Sequence, residues 1–204
     1  MNFEQLAYTI ISAIFAISIH EYAHGFVAYK LGDPTPKAQG RLTLNPLKHL
    51  DPIGALMLII AKVGWAKPVQ INPLYFKNRR QAMILVALAG PLANITTAWV
   101  VNIISVLLFR LPLKPNFLFS LYLFACISIE INIMLAAFNL IPIPPLDGSK
   151  IVANLLPLKM RLKYERISPY APLILIVGIW TGALSYIISP LYRMLFSLIR
   201  GFSL

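Results

Sequence analysis

The pattern of apolar and polar positions divides the chain into four long apolar runs, which are separated by polar and mostly basic segments. The runs cover residues 6–29, 81–109, 116–140 and 167–192. Each run has room for the roughly 20 helical residues that cross a bilayer. The pattern therefore predicts about four transmembrane helices, the fourth lying within the last run.

Two shorter segments depart from this pattern. Residues 53–61 are apolar but too short to cross a bilayer, which favours a re-entrant or interfacial element. Residues 64–76 read GWAKPVQINPLYF, and their prolines and partial alternation favour an extended strand or hairpin, with a plain surface loop as the alternative. We predict an all-α, multi-pass membrane fold with this re-entrant or hairpin element, and residues 1–204 as a single integral-membrane domain.

Composition and charge support this class and suggest an orientation. The chain is 58% hydrophobic and only 12% charged, which is typical of a membrane protein. Its net charge is +11, and the basic residues cluster within residues 30–80 and 150–166, whereas none precedes the first run. The positive-inside rule then predicts cytoplasmic loops and an outside N-terminus at the cell membrane. Because orientation and anionic lipid explain the charge, we expect no nucleic-acid partner.

The residues with the clearest chemistry form the motif HEYAH at positions 20–24, which ends the first apolar run. On a helix, His20 and His24 lie one turn apart on the same face, so both imidazoles can reach one metal ion. Neutral imidazole suits zinc, and Glu21 can accept a proton from water that the metal has acidified. The alternative is a pair of helix histidines without a metal, which is costly so deep in an apolar run.

Catalytic zinc usually has three protein ligands, so a third side chain is needed. Asp147 follows the third predicted helix at its cytoplasmic end, the same side as the two histidines. Glu130 precedes it by about 25 Å of helix and should lie near mid-membrane. His49 and Asp51 lie in a polar loop and are predicted to be solvated. The topology favours Asp147 over the other candidates, which are Glu130, Asp51, Asp33 and His49.

Four sequence segments resemble the site-2 proteases, a family of intramembrane zinc metalloproteases. They are HEYAH at 20–24, GWAKPVQINPLYF at 64–76, GPLAN at 90–94 and FNLIPIPPLDG at 138–148. The chain resembles the compact form of the family, without a PDZ domain. The resemblance implies that residues 64–76 help to hold an unwound substrate.

The resemblance also assigns roles to individual residues. It implies one zinc ion between the first and third spans, held by His20, His24 and Asp147. It implies that Glu21 is the general base. Asn94 and Asn139 are expected to position substrate or an oxyanion, and helix–helix hydrogen bonds are the alternative for both.

The function implied by the resemblance is hydrolysis of a peptide bond in or beside a transmembrane segment, as in regulated intramembrane proteolysis. The expected partners are single-span membrane proteins and the lipid bilayer, and the active site should face the cytoplasm. Two other classes are a metal transporter and a non-catalytic zinc-binding scaffold. Glu21 separates these classes, because a structural site has no use for a general base.

Overall fold

The computed structural model describes residues 2–49, 51, 53–54, 67–112 and 114–201, and these residues form helices and connecting turns without a β-strand. The α-helices are α1 (Phe3–Lys30), α2 (Thr35–Ala38), α3 (Arg79–Leu108), α4 (Pro115–Asn139), α5 (Asp147–Leu155), α6 (Leu158–Glu165), α7 (Ala171–Trp180) and α8 (Ser185–Arg200). Short 3₁₀ turns lie at Pro46–Lys48, Pro73–Tyr75 and Ser168–Tyr170.

The ends of the long helices follow from local sequence. Asn2 caps α1 by accepting the backbone N–H of Gln5, whose side chain accepts the Asn2 N–H in return. Gly32, just past the end of α1, has a φ of +109°, a value that glycine adopts without steric cost. Asn78 caps α3, and Pro115 begins α4, where its missing N–H costs nothing.

Helices α1, α3 and α4 are each long and apolar enough to cross a membrane. A fourth candidate span consists of Leu158–Trp180 and Ser185–Arg200, which are bent by 78° at a short break. The predicted all-α, multi-pass class is therefore confirmed, with three or four spans depending on how the bent pair is counted. The region predicted as the fourth span is a broken helix pair.

The three long helices pack against one another, and α5 packs on α3. Alanines at the contacts are fully buried, which lets the backbones approach closely. These alanines are Ala16, Ala28, Ala98, Ala136 and Ala137. Since α5 begins with Asp147 and rests on α3, the packing brings the late carboxylate to the helix bundle.

The last helix packs on the bundle. Helix α8 runs through Arg200 and contacts α3 and α4. Leu195 and Ile199 are buried in that contact, and the Asn102 side chain donates to the Ile199 carbonyl at 3.1 Å. Burial of this apolar stripe holds α8 against the bundle.

The polar segments between α1 and α3 make more internal contacts than their polarity predicts. His49, which we expected to be solvated, is fully buried, and its Nε2 lies 2.7 Å from the Thr43 carbonyl. Residues 67–72 have no regular secondary structure, the backbone is extended at Asn72, and a 3₁₀ turn follows at Pro73–Tyr75. No strand pairing occurs among the described residues. Most of the predicted re-entrant segment 53–61 lies outside the described residues.

Candidate metal centre

The structure brings together the three side chains that the sequence selected as ligands. His20 Nε2 and His24 Nε2 are 3.0 Å apart on one face of α1. Asp147 Oδ2 lies 3.1 Å from the first nitrogen and 2.9 Å from the second. All three side chains are buried, and they form a group of close potential ligands in the part of the chain that the structure describes.

A carboxamide from α3 fixes the protonation of His20. Asn94 Oδ1 lies 2.7 Å from His20 Nδ1, and Asn94 Nδ2 donates to the Ala16 carbonyl and to Asn132 Oδ1. The donor contacts determine which way the amide points, so its oxygen faces the imidazole. In the neutral imidazole, an oxygen acceptor there places the proton on Nδ1, which leaves a lone pair on Nε2.

A backbone group from α3 fixes His24 in the same way. The Val86 carbonyl lies 2.6 Å from His24 Nδ1 and can only accept a hydrogen bond. His24 therefore also carries its proton on Nδ1 and directs an unprotonated Nε2 at the group. Both ligating nitrogens are set by acceptors that lie behind the rings.

The resulting cluster suits a cation. Two unprotonated nitrogens and a carboxylate oxygen meet at 2.9–3.1 Å without a proton to share, so their lone pairs repel unless a positive ion lies between them. A tetrahedral zinc ion with bonds of about 2.0 Å separates its ligand atoms by about 3.3 Å, close to the observed spacing. The donor set of two imidazoles and one carboxylate is one that catalytic zinc uses.

The ionisation of Asp147 agrees with a role as ligand. Burial would raise the pKa of this carboxyl, but the ammonium of Lys150 lies 2.9 Å from Oδ1 and stabilises the charged form. The pKa of Asp147 therefore lies below its usual range, and the group is a carboxylate at neutral pH. That is the form which binds metal.

Two glycines allow the close approach of the helices at this site. A Cβ built on Gly90 would lie 2.6 Å from atoms of the His20 ring and would also overlap His24. A Cβ on Gly148 would lie 2.6 Å from the Ile141 carbonyl oxygen and would overlap the end of α4. The absence of side chains at Gly90 and Gly148 lets α3 cover the imidazoles and lets α5 begin directly beyond α4.

Glu21 lies beside the ligand group and is not a member of it among the described residues. Its Oε2 accepts the backbone N–H of Val69 at 2.9 Å, in the extended part of the 64–76 segment. Its other oxygen forms no hydrogen bond within the part of the chain that the structure describes. The carboxylate is therefore anchored at one oxygen, with the second left for another proton donor.

Two other candidates for the third metal ligand lie elsewhere in the structure. Asp33 is fully buried and accepts the N–H groups of Thr35 and Asn72. Glu130 is exposed on α4 and lines a separate cavity of about 440 Å³. Neither residue belongs to the group of close ligands that the structure describes.

Asn94 and Asn139, which were predicted to position substrate or an oxyanion, make different contacts in the structure. Asn94 is fully buried, and its amide already contacts His20, Ala16 and Asn132, which favours the helix–helix alternative over contact with substrate. Asn139 donates only to the Leu135 carbonyl within its own helix. Its role in positioning substrate or an oxyanion stays a prediction.

Sequence reasoning missed three contributors to the site. The Val86 carbonyl carries no sequence signal, because every residue has one. Asn132 gave a weak signal as a polar residue in an apolar run. Lys150 gave a stronger signal, because it is a basic residue three positions after Asp147. In the structure it lies on α5 and donates to Asp147 Oδ1 at 2.9 Å.

A histidine pair and a carboxylate, buried inside an all-helical bundle of membrane-spanning length, define a membrane protein with a zinc-type centre. The sequence pattern of peptidase family M50 matches residues 113–179. YwhC of Bacillus subtilis, which is named as a zinc metalloprotease, is 40% identical over 188 residues, covering 91% of this chain and 86% of that protein. The chain belongs to peptidase family M50: it is a zinc metalloprotease of the membrane.

Two more distant relatives carry the same type of name. Rip2 of Mycolicibacterium smegmatis, also named as a zinc metalloprotease, is 31% identical over 147 residues, which are 66% of this chain and 52% of Rip2. MJ0611 of Methanocaldococcus jannaschii is 45% identical over 67 residues, about a third of each chain. No solved structure matches this chain.

Proposed function

We propose that this zinc metalloprotease hydrolyses a peptide bond in or next to a transmembrane segment of a single-span membrane protein, as in regulated intramembrane proteolysis. We also propose that it lies in the cell membrane with its N-terminus outside and its active site towards the cytoplasm. One observation carries the proposal: the ligand group is buried between membrane-length helices, with His20 and His24 inside α1. A substrate that reaches such a site must already lie in or at the membrane.

The metal ligands proposed are His20, His24 and Asp147. When bound there, zinc supplies Lewis acidity, which polarises a carbonyl group and makes water more acidic. The protein residues maintain the site: Asn94 and Val86 keep both Nε2 atoms unprotonated. The buried surroundings exclude bulk water and strengthen the electrostatic interactions at the centre.

Glu21 is the proposed general base. Its anchor to the Val69 N–H limits rotation of the carboxylate, so that Oε1 can accept a proton from the attacking water and pass it to the leaving amine. General base catalysis of this kind contributes about 10²–10⁴-fold to the rate. The same anchor joins the base to the extended segment.

A helical substrate must unwind before cleavage, because its peptide bonds are shielded within the helix. Residues 67–72 form no helix or turn, and Glu21 and Asp33 each accept one of their backbone N–H groups. We propose that this segment binds the unwound substrate alongside it as an added strand. Such pairing would satisfy the backbone groups that unwinding exposes.

The test compares wild-type protein with Glu21→Gln in proteoliposomes that contain a single-span test substrate. The substitution keeps the hydrogen-bonding oxygen but removes the base, so we expect cleavage to fall at least about 100-fold. Zinc content, measured by elemental analysis, should stay at one ion per chain. Glu4→Gln, at the other end of the same helix, is the matched control and should cleave normally.

Two results would contradict the proposal. Cleavage by Glu21→Gln at the wild-type rate would remove Glu21 from the mechanism. Cleavage of an unfolded soluble protein, with the membrane-embedded substrate left intact, would reject the substrate class while keeping the protease activity.

A further inference from the structure

The two oxygens of the Asp147 carboxylate have different neighbours. Oδ2 faces both imidazoles, whereas Oδ1 accepts a hydrogen bond from the Lys150 ammonium at 2.9 Å. Lys150 lies one turn further along α5, so the two side chains share a helix face. The lysine therefore binds the oxygen that points away from the two histidines.

The backbone at this point is fixed independently of the lysine. Gly148 is packed against the backbone of Leu140 and Ile141, and the Ser149 hydroxyl donates to the Leu146 carbonyl. The start of α5 therefore cannot shift freely toward or away from the imidazoles. The remaining freedom of Asp147 is rotation of its side chain, which the Lys150 contact restricts.

Lys150 also borders a cavity. Its side chain is 44% exposed, while that of Asp147 is 5% exposed. Lys150 lines a cavity of about 360 Å³ together with Arg161 and Tyr164. Arg161 is not a substitute for it, since Arg161 donates to Glu165 and to Asn154. Lys150 is thus the cation that bonds Asp147 in the described part of the chain, and it can be reached from the cavity.

We propose that Lys150 is a positioning residue that restricts Asp147 to one metal-facing oxygen. A carboxylate with both oxygens free can bind a metal through either one or both of them. With Oδ1 held by the ammonium, Asp147 occupies one coordination position, and a fourth position stays open for water. This inference rests on the proposed role of Asp147 as a zinc ligand.

The first test uses cobalt(II) in place of zinc, because its visible absorption is stronger in four-coordinate than in five-coordinate sites. Lys150→Met should weaken the cobalt absorption as the second carboxylate oxygen binds, and should lower cleavage by about 10- to 100-fold. Lys150→Arg, which keeps a cation at this position, should restore most of both signals. Lys159→Met removes an exposed lysine from the neighbouring helix α6 and should change neither.

The second test is chemical rescue with methylammonium. Lys150→Ala leaves space next to the cavity, so the small cation should enter, bond Oδ1 and restore at least about 10% of wild-type cleavage. It should not rescue Glu21→Gln. Failure of rescue, together with a Lys150→Met protein that has wild-type cobalt absorption and cleavage, would overturn the inference.

The two tests distinguish a failure of the positioning role of Lys150 from a failure of the proposed metal centre. If wild-type protein binds cobalt and cleaves substrate but Lys150→Met is unchanged, only the positioning role is rejected. If the wild-type protein itself binds neither zinc nor cobalt, the proposed metal centre is rejected.

Discussion

Each imidazole of the metal centre is oriented by one oxygen acceptor, but only one of these acceptors can be removed by mutation. Val86 presents a backbone carbonyl to His24, whereas Asn94 presents a side-chain oxygen to His20. Both acceptors keep the proton on Nδ1 and the lone pair directed at the metal. His20 is therefore the ligand at which control of the tautomer can be tested.

Asn94→Ala should lower zinc affinity by about 10- to 100-fold, the range typical of removing a partner that orients a metal ligand. Without the acceptor, His20 can carry its proton on Nε2 and lose the lone pair that binds metal. Competition with a chromophoric chelator, on purified protein, measures the affinity.

The matched control is Asn102→Ala, which removes another buried carboxamide of α3. Asn102 donates to the Ile199 carbonyl, far along the helix from the ligands. This variant should lose thermal stability while keeping wild-type zinc affinity. Equal zinc affinities for the two variants would mean that the contact with His20 does not control its tautomer.

Individual residues of the site were predictable to different degrees. The histidine pair followed from helical periodicity, and Asp147 followed from counting spans under the positive-inside rule. The contact of Asn94 with His20 was not predictable, because it depends on which face α3 turns toward α1. The periodicity of one apolar helix does not encode that rotation when lipid and protein are both apolar.

At the scale of elements, the site depends on how closely α3 lies against α1. Gly90→Ala places a methyl group within overlap distance of both imidazoles. Either the helices separate or the rings rotate, and both responses disturb the ligand geometry. We expect at least about a 10-fold loss of zinc affinity, measured by the same chelator competition.

Leu92→Ala is the matched control on the same helix. Leu92 is 54% exposed and faces away from the bundle, so its truncation should leave zinc affinity unchanged. Wild-type zinc affinity in Gly90→Ala would show that α1 and α3 can adjust to the added methyl group without disturbing the ligands.

Elements were predicted well where apolar length alone decides them, and less well where tertiary contacts decide. The three long spans are of the first kind. The packing of α8 is of the second kind, because Leu195 and Ile199 contact surfaces of α3 and α4 that the local sequence does not reveal. The segment 64–76 is similar: Glu21 and Asp33 each accept one of its N–H groups, and these contacts depend on the packing of the segment against α1.

At the scale of the whole molecule, the proposed orientation can be tested with single cysteines. In a Cys126→Ser background, which removes the native cysteine, Lys159→Cys should react with an impermeant thiol reagent from the cytoplasmic side. Asn116→Cys, at the start of α4, should react from the opposite side. The basic residues of the cytoplasmic segments are the physical reason for this orientation.

Sealed inside-out and right-side-out vesicles measure the two reactivities. Labelling of both positions from one side would rule out the arrangement in which α4 crosses the membrane. Labelling with the opposite polarity would invert the proposed orientation and move the metal centre to the outer face.

The distance along the chain between the ligands has a consequence for biosynthesis. His20 and Asp147 are 127 residues apart, so a ribosome inserts α1, α3 and α4 into the membrane before the last ligand emerges. A nascent chain with the histidine pair alone lacks the carboxylate that completes the centre. The protease is therefore expected to be inactive until its own translation has passed Asp147.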